Sequence, residues 1–269
     1  MIDRRKLIEL GLGCSAAGAT GVGAGYVYRR EIHAVKQRIS PDPPQTRQRA
    51  PVVQAFRSGA REIEERQRQQ TKEIVQTLKA KYESPILGKF RVWDLLQKLA
   101  LCVDPTDSSL YCTSQYMHVC QIVAGMEQDG ELNEKMLLVA LLHDLGKVAM
   151  LEGEPPEHVV CYISPVEARE LKCGLDNVTF QFGHDEIAYS RFKDHVPEDV
   201  AWALRYHSTI LGKAEPYMSV TDRAYEESIL TTFRKYDQGT KSPANLPAHA
   251  NLDRFRGFIE SYFPQPILF

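Results

Sequence analysis

The chain has 269 residues, and its 33 lysines and arginines against 35 aspartates and glutamates give a formal net charge of −2. Hydrophobic residues make up 43% and charged residues 25%, a composition typical of a globular protein with room for one sizeable domain and shorter additions. Without a basic excess, binding to nucleic acid through overall charge is not predicted. The six cysteines contain no CxxC pair, so a structural zinc site is not predicted either.

Residues 1–30 predict a targeting or membrane segment that lies outside the fold. Three basic residues at positions 4–6 precede a weakly apolar, glycine- and alanine-rich run over 7–28. Two arginines follow this run, at positions 29 and 30. The run is about as long as the roughly 20 residues that cross a bilayer, and its start resembles a twin-arginine export signal. Three alternatives stay open: a membrane anchor, an exported protein with a cleaved signal, and a cytoplasmic protein in which the segment has no targeting role.

Residues 31–55 predict a linker, because prolines at positions 41, 43, 44 and 51 alternate with polar and basic residues that cannot form a packed core. The folded domain is then expected over 56–269. Apolar periodicity predicts helices over 58–82, 90–103, 115–128, 136–148, 180–192, 200–206, 229–236 and 252–262. Strand signals are few, so the fold is predicted to be all-α. A short turn at Gly130 should pack the third and fourth helices antiparallel, with His118 facing His143.

The most informative stretch is the predicted helix over 136–148. Residues 137–142 are six apolar residues in a row, which indicates a buried helix, and His143 and Asp144 follow them directly. Burying both without partners is costly, and a bound metal ion is the commonest reason to find them there. Lys147 should lie on the same helix face as His143, where an ammonium can meet an anion or a hydroxyl. The alternative is a helix that runs to the surface, with Asp144 and Lys147 as an ordinary ion pair.

Candidate partners for this pair occur along the rest of the chain. Six histidines and aspartates lie in or beside apolar helical segments, and no cysteine joins them: His118, His143, Asp144, His184, His207 and Asp237. Four imidazoles and two carboxylates suit two first-row ions of the iron or manganese kind. Asp144 is the natural bridge, because its neighbour His143 would already bind one ion. The remaining histidines lie among prolines, charges or linker residues and are predicted to face solvent: His33, His158, His195 and His249.

Here the resemblance to a known family becomes specific. The residues from His143 to Lys147 match the HD-domain signature, and the wider pattern resembles the myo-inositol oxygenase family, whose members are mixed-valent diiron enzymes. The matching segments arrive in the family's order, at 56–57, 104–107, 143–147, 173–178, 183–186, 205–208, 233–237 and 240–241. The resemblance therefore covers about residues 56–269.

The resemblance implies an HD-domain-like helical bundle around a dinuclear site, with the six candidate residues as ligands of two irons, Fe(II) and Fe(III), and Asp144 as the bridge. It also implies that Lys147 and Asp144 act in catalysis, and it assigns substrate contacts to Arg57, Asp104, Asp107, Lys147, Ser208 and Lys241, with Arg57 and one of the two aspartates closing the pocket. The implied reaction is a four-electron oxidation of a cyclic polyol by O₂ that cleaves a C–C bond, and myo-inositol would give D-glucuronate. The expected partner is this small molecule, bound by a monomer.

Two segments depart from the family pattern. The family carries a Gly-Asp-Thr stretch whose aspartate accepts substrate hydroxyls, and here residues 159–163 stand in its place with Tyr162 at the position of the aspartate. After Ser208, residues 209–212 replace an aromatic, proline-containing stretch. We therefore expect an intact metal centre beneath a rebuilt substrate lid. Two other functions stay open. One is an HD phosphohydrolase, which is disfavoured because the sequence shows no basic cluster for a phosphate group beyond Lys147 and Lys241. The other is a membrane-tethered polyol-binding protein without turnover.

Overall fold

The structure, a computed structural model, describes residues 49–85, 87–110 and 113–269, with side chains from residue 59 onward. The predicted targeting segment and most of the predicted linker lie outside the described residues. The first helix of the described residues begins at Arg49, so the linker boundary expected at residue 55 falls inside a helix. Within the described part of the chain, none of the helices combines the length and the apolar character needed to cross a bilayer.

Helices make up most of the described chain, which confirms the all-α prediction. They are α1 (Arg49–Arg68), α2 (Lys72–Glu83), α3 (Val92–Lys98), α4 (Gln115–Asp129), α5 (Glu134–Leu142), α6 (His184–Phe192), α7 (Glu198–Tyr206), α8 (Leu211–Ala214), α9 (Val220–Tyr225), α10 (Thr231–Gly239) and α11 (Arg256–Tyr262). The strands in these residues are short and form two antiparallel pairs: β1 (Lys89–Phe90) with β4 (Ile267–Leu268), and β2 (Pro165–Ala168) with β3 (Val178–Phe180). The core lies between the helices, and α5 is buried along almost its whole length.

The helix predicted over 58–82 is two helices in the structure, because the chain turns between Arg68 and Lys72. Gln70 is buried at this turn, and its side-chain amide donates to the carbonyl oxygen of Phe182 while its own oxygen accepts from the Phe182 N–H. Thr71 then caps α2 by accepting a hydrogen bond from the Ile74 N–H. The break therefore serves a long-range contact that apolar periodicity does not report.

The helix predicted over 136–148 also differs, because α5 ends at Leu142 and His143 is its C-cap residue. Asp144 adopts φ −94° and ψ 1°, and a tighter 3₁₀ helix continues over Leu145–Glu152. Gly146 permits a close approach at this point, since a Cβ would lie 2.1 Å from the carbonyl oxygen of His184. The chain after Asp144 thus packs directly on the start of α6, which an ordinary side chain would prevent.

Candidate metal centre

All six predicted ligands converge in the core, and none is more than 3% exposed. Each comes from near a helix end or a helix face: His118 from α4, His143 and Asp144 from the end of α5, His184 from the first residue of α6, His207 from the C-cap of α7 and Asp237 from α10. His118 and His143 face each other as expected, since the centres of their rings lie 5.6 Å apart.

The donor atoms form two groups that share one residue. His118, His143 and Asp144 each offer an atom within 4.8 Å of the others, and so do Asp144, His184 and His207. Asp237 joins the first group, because its Oδ1 lies 2.9 Å from Nε2 of His118. A carboxylate common to two donor groups has the position that a bridging ligand needs.

Three imidazoles are oriented by the backbone. Each turns Nδ1 towards a carbonyl oxygen: His143 to Ala140 at 3.0 Å, His184 to Val159 at 2.9 Å and His207 to Leu204 at 3.0 Å. A carbonyl oxygen can only accept, so Nδ1 carries the proton in all three rings and Nε2 keeps its lone pair. This is the tautomer in which a histidine binds a metal ion through Nε2.

The donor atoms are arranged so that only a bound cation or a proton can relieve their mutual repulsion. The Nε2 atoms of His184 and His207 lie 3.0 Å apart, so two lone pairs face each other in a buried site. Nε2 of His143 and Oδ2 of Asp144 are 3.3 Å apart, and both are buried without a hydrogen-bond partner. Buried acceptors that face one another repel unless a proton or a metal ion lies between them. The residues present therefore fit metal ions.

Lys147 is 1% exposed and lies beside the bridging carboxylate. Its Nζ is 3.0 Å from Oδ1 of Asp144, 3.1 Å from Oδ2 of Asp104 and 3.1 Å from Oε1 of Gln115. Burial by itself favours the neutral amine, but the charges of Asp144 and Asp104 hold the pKa of Lys147 well above its usual value. Lys147 is therefore a buried ammonium. The expected pair with Asp144 exists, but it lies in the interior and not on a helix that runs to the surface.

The two aspartates of the 104–107 turn have different partners. Oδ1 of Asp104 accepts from the N–H and the hydroxyl of Thr106, and burial, which opposes its charge, is outweighed by Lys147 and Thr106, so that its pKa is lowered. Asp107 instead pairs with Lys241 at 2.9 Å. The structure thus separates a carboxylate that holds Lys147 from one that holds Lys241.

A cavity of about 300 Å³ opens beside the donor atoms. Its lining includes four of the predicted substrate residues, namely Asp107, Lys147, Ser208 and Lys241, together with the metal-site residues Asp144, His207 and Asp237. Asp104 lies behind Lys147 and is not part of the lining. Arg57 lies in α1, in the stretch whose side chains are outside the described residues, so its predicted contact stays a prediction. The cavity size is in the range of sites for small molecules.

Three buried or half-buried residues support the site without having been predicted. Gln115 accepts a hydrogen bond from Lys147, and Asp185 accepts one from the hydroxyl of Ser208. Arg234 donates to the carbonyl oxygens of Tyr206, His207 and Thr209. Asp185 and Arg234 lie inside the matching segments 183–186 and 233–237. Their position in the sequence close to predicted ligands is the signal from which their supporting role could have been predicted.

The histidines predicted to face solvent stay apart from the donor groups. His195 and His249 are exposed, and His158 is partly exposed and paired with Glu154. His33 lies outside the described residues.

The fold and the site define an all-α protein with a buried donor set for metal ions beside a cavity for a small polar molecule. The family model described as myo-inositol oxygenase matches residues 59–167 and 150–269. A probable inositol oxygenase of Oryza sativa subsp. japonica is 26% identical over 233 residues, which cover 72% of this chain and 75% of the relative. Inositol oxygenase 4 of Arabidopsis thaliana is 27% identical over 234 residues (73% and 74%), and the inositol oxygenase of Bos taurus is 27% identical over 233 residues (72% and 81%).

The chain belongs to the myo-inositol oxygenase family. It is therefore an oxygenase, an enzyme of the oxidoreductase class, and the resemblance found in the sequence is confirmed. The His and Asp groups that could hold metal agree with the metal dependence that the family suggests.

Proposed function

We propose that the chain holds two irons, Fe(II) and Fe(III), through His118, His143, Asp144, His184, His207 and Asp237, and oxidises a cyclic polyol with O₂. With myo-inositol, one ring C–C bond breaks, one carbon becomes an aldehyde and the other a carboxylate, and the second oxygen atom leaves as water. The substrate gives up four electrons and O₂ takes them. The observation that carries the proposal is the position of Asp144 in both donor groups, in a member of this family.

Bound iron would supply Lewis acidity and redox chemistry, while the chain supplies binding and orientation. The ammonium of Lys147 lines the cavity beside Asp144, so a substrate hydroxyl that binds there meets a fixed positive charge and loses its proton more readily. The hydroxyl of Ser208 donates a hydrogen bond to Asp185, which leaves its oxygen free to accept from a substrate hydroxyl. Lys241, paired with Asp107, adds a second ammonium to the cavity lining.

The test is to purify the chain without oxygen, load it with iron, and measure oxygen uptake and glucuronate after adding myo-inositol. We expect two irons per chain and one O₂ consumed for each glucuronate formed. If no cyclic polyol causes oxygen uptake and the chain instead releases phosphate from phosphate esters, the proposed reaction is wrong. Tight binding of polyols without turnover would indicate a binding protein and would likewise contradict it.

We further propose that residues 1–30 anchor the enzyme to a membrane or direct its export, and that the catalytic domain follows a linker. Because α1 begins at Arg49, the informative truncation removes residues 1–48. Fractionation of cells that produce the full or the truncated chain tests this. We expect the truncated chain to be a soluble, iron-loaded and active monomer by gel filtration, while only the full chain is found with membranes or outside the cytoplasm. Identical distributions would contradict the targeting role.

A further inference from the structure

The two segments in which the chain departs from the family pattern are neighbours in the structure. The Ile163 N–H donates to the carbonyl oxygen of Ser208 at 3.2 Å, and the Ile210 N–H donates to the carbonyl oxygen of Ile163 at 2.8 Å. These bonds form a parallel bridge between Ile163 and Thr209. Residues 161–163 and 208–211 therefore form one continuous structure, which we call the paired wall. A shift in the backbone of one segment should displace the other, because these hydrogen bonds connect them.

The paired wall contributes six residues to the cavity lining. Ser208 and Thr209 carry hydroxyl groups, and the other four are the apolar or weakly polar residues Cys161, Tyr162, Ile210 and Leu211. Burial and the neighbouring groups Cys161 and Asp107 raise the pKa of the Tyr162 phenol, so this side chain is neutral in the physiological range. The charged residues of the lining, among them Lys147, Lys241 and Asp144, all lie outside the wall. The apolar side chains of the lining therefore come from the wall, and its charged groups come from the rest of the site.

Tyr162 is the most unusual residue of the wall. Its φ of 68° lies in the left-handed region that non-glycine residues rarely adopt, and the residue is 54% exposed. It is also one of the residues that line the cavity. The bridge hydrogen bonds of Ile163, the next residue, hold the backbone there. A glycine would take this conformation without strain, so what tyrosine adds at this position is its ring.

A cyclic polyol with hydroxyls around its whole rim fits this cavity poorly. Substrate hydroxyls near the charged part of the lining meet Lys147 and Lys241, whereas a hydroxyl placed against Cys161, Ile210 or Leu211 leaves water for carbon and sulfur surface. A polar group buried without a partner loses free energy, and an apolar group in the same place gains it. The wall thus favours a substrate edge that carries carbon in place of a free hydroxyl.

We propose that the paired wall selects a cyclic polyol that carries a small apolar substituent, such as a mono-O-methyl ether of inositol, on the edge that contacts Tyr162, Ile210 and Leu211. This inference rests on the proposed function and specifies its substrate class. The reaction is unchanged: the same ring bond breaks with one O₂, and the methyl ether passes intact into the uronate product.

The test compares myo-inositol with a panel of its mono-O-methyl ethers on the full, iron-loaded chain. Dissociation constants are measured without oxygen by calorimetry, and kcat/KM is measured by oxygen uptake. We expect at least one ether to be favoured by about tenfold in both measurements, because its methyl group covers the wall and one unpaired hydroxyl is removed. If every ether binds more weakly than myo-inositol, the inference is wrong.

Four variants locate the preference. Tyr162→Asp should reverse the preference, so that myo-inositol becomes the better substrate. Tyr162→Gly removes the ring without backbone strain and should abolish the preference, and it serves as the test if the aspartate variant does not fold. Tyr162→Phe keeps the ring and should keep the preference. Leu171→Asp changes an apolar residue that is 68% exposed and outside the cavity lining, so it should keep the wild-type ratio. An unchanged ratio in Tyr162→Gly would overturn the role of the ring.

The two proposals fail in different ways. If ethers bind more tightly than myo-inositol but no polyol causes oxygen uptake, the proposed reaction is wrong and the selectivity of the wall stands. If oxygen uptake is observed and myo-inositol is the preferred substrate, the reaction stands and the selectivity of the wall is wrong.

Discussion

The metal side of the cavity and the paired wall face the same space but are built in different ways. On the metal side, side chains near helix ends are buried, and three of the imidazoles are held by backbone carbonyls. On the wall side, irregular segments are held by a few backbone hydrogen bonds, and Tyr162 adopts a strained backbone and stays half exposed. The first arrangement tolerates little change, whereas the second can vary without loss of the core.

The difference separates two kinds of function. The donor atoms and Lys147 determine what chemistry is possible, and they depend on helices that also form the core. The wall determines which molecule fits, and it depends on loops that contribute less to stability. Substitutions on the metal side should therefore abolish the reaction, while those in the wall should redirect it.

The largest effect is expected for Asp144→Ala, because this carboxylate belongs to both donor groups. We expect both irons to be lost together and activity to fall below detection. Elemental analysis of the purified variant gives the metal content. His118→Ala changes only one of the two donor groups, so this variant should lose the iron of that group before the other. Asp104→Asn changes a buried carboxylate outside the two groups and should keep both irons. An Asp144→Ala protein with one full equivalent of iron would show that the residue does not bridge.

A large effect on rate with the metal retained is expected for Lys147→Met. The variant removes a buried ammonium without touching a donor atom, so kcat/KM should fall about 10²–10³-fold while iron content stays at the wild-type value. The matched control is Lys213→Met, an exposed lysine outside the cavity lining, which should leave kcat/KM unchanged. Loss of iron in Lys147→Met would instead indicate a role in building the metal site.

An intermediate effect is expected for Gly146→Ala. The new Cβ would lie 2.1 Å from the carbonyl oxygen of His184, and backbone on both sides leaves little room to adjust. We expect a loss of about 1–3 kcal/mol in the free energy of unfolding and a 10–100-fold weaker metal affinity. Gly257→Ala in α11, where a Cβ meets nothing within 4 Å, is the control for both measurements. Equal metal affinity in the two variants would show that this contact does not position His184.

The smallest effect is expected away from both sides, at Glu154. Burial opposes its charge, but hydrogen bonds with His158, Lys81 and Tyr82 lower its pKa from 4.5 to about 2. The ionised form is favoured by folding, so its contribution to stability is complete above about pH 4.5 and is lost as the pH falls towards 2.

Thermal unfolding of wild type and Glu154→Gln across this range measures that contribution. Near neutral pH, the melting temperature of the variant should be about 2–4 °C lower for each kcal/mol lost from the free energy of unfolding. The difference in melting temperature between the variant and wild type should vanish near pH 2. Activity at neutral pH and 25 °C should be unchanged, because Glu154 lies outside the cavity lining. A difference in melting temperature that grows as the pH falls would contradict the sign of the pKa shift.

The sequence by itself determined the all-α class, the six candidate ligands and the family. The class and the candidate ligands follow from local signals, because apolar periodicity reports which helix face is buried and a histidine–aspartate pair after six apolar residues is costly without a partner. The family was inferred from the resemblance of several motifs that arrive in the family's order. The end of α7 before His207 was also predicted, whereas α6, predicted over 180–192, begins only at His184, because Phe180 belongs to β3 and Gly183 precedes the helix. The donors could be named before their geometry was known because each lies in such a segment.

Only the tertiary structure decided the break before α2, the end of α5 at Leu142, the separate partners of Asp104 and Asp107, and the pairing of residues 161–163 with residues 208–211. Each depends on contacts between residues far apart in the chain: Gln70 with Phe182, Gly146 with His184, and Ile163 with Ser208 and Ile210. Several of these contacts are made by backbone atoms, which every residue carries, so side-chain patterns do not report them. They form only when the helices have packed.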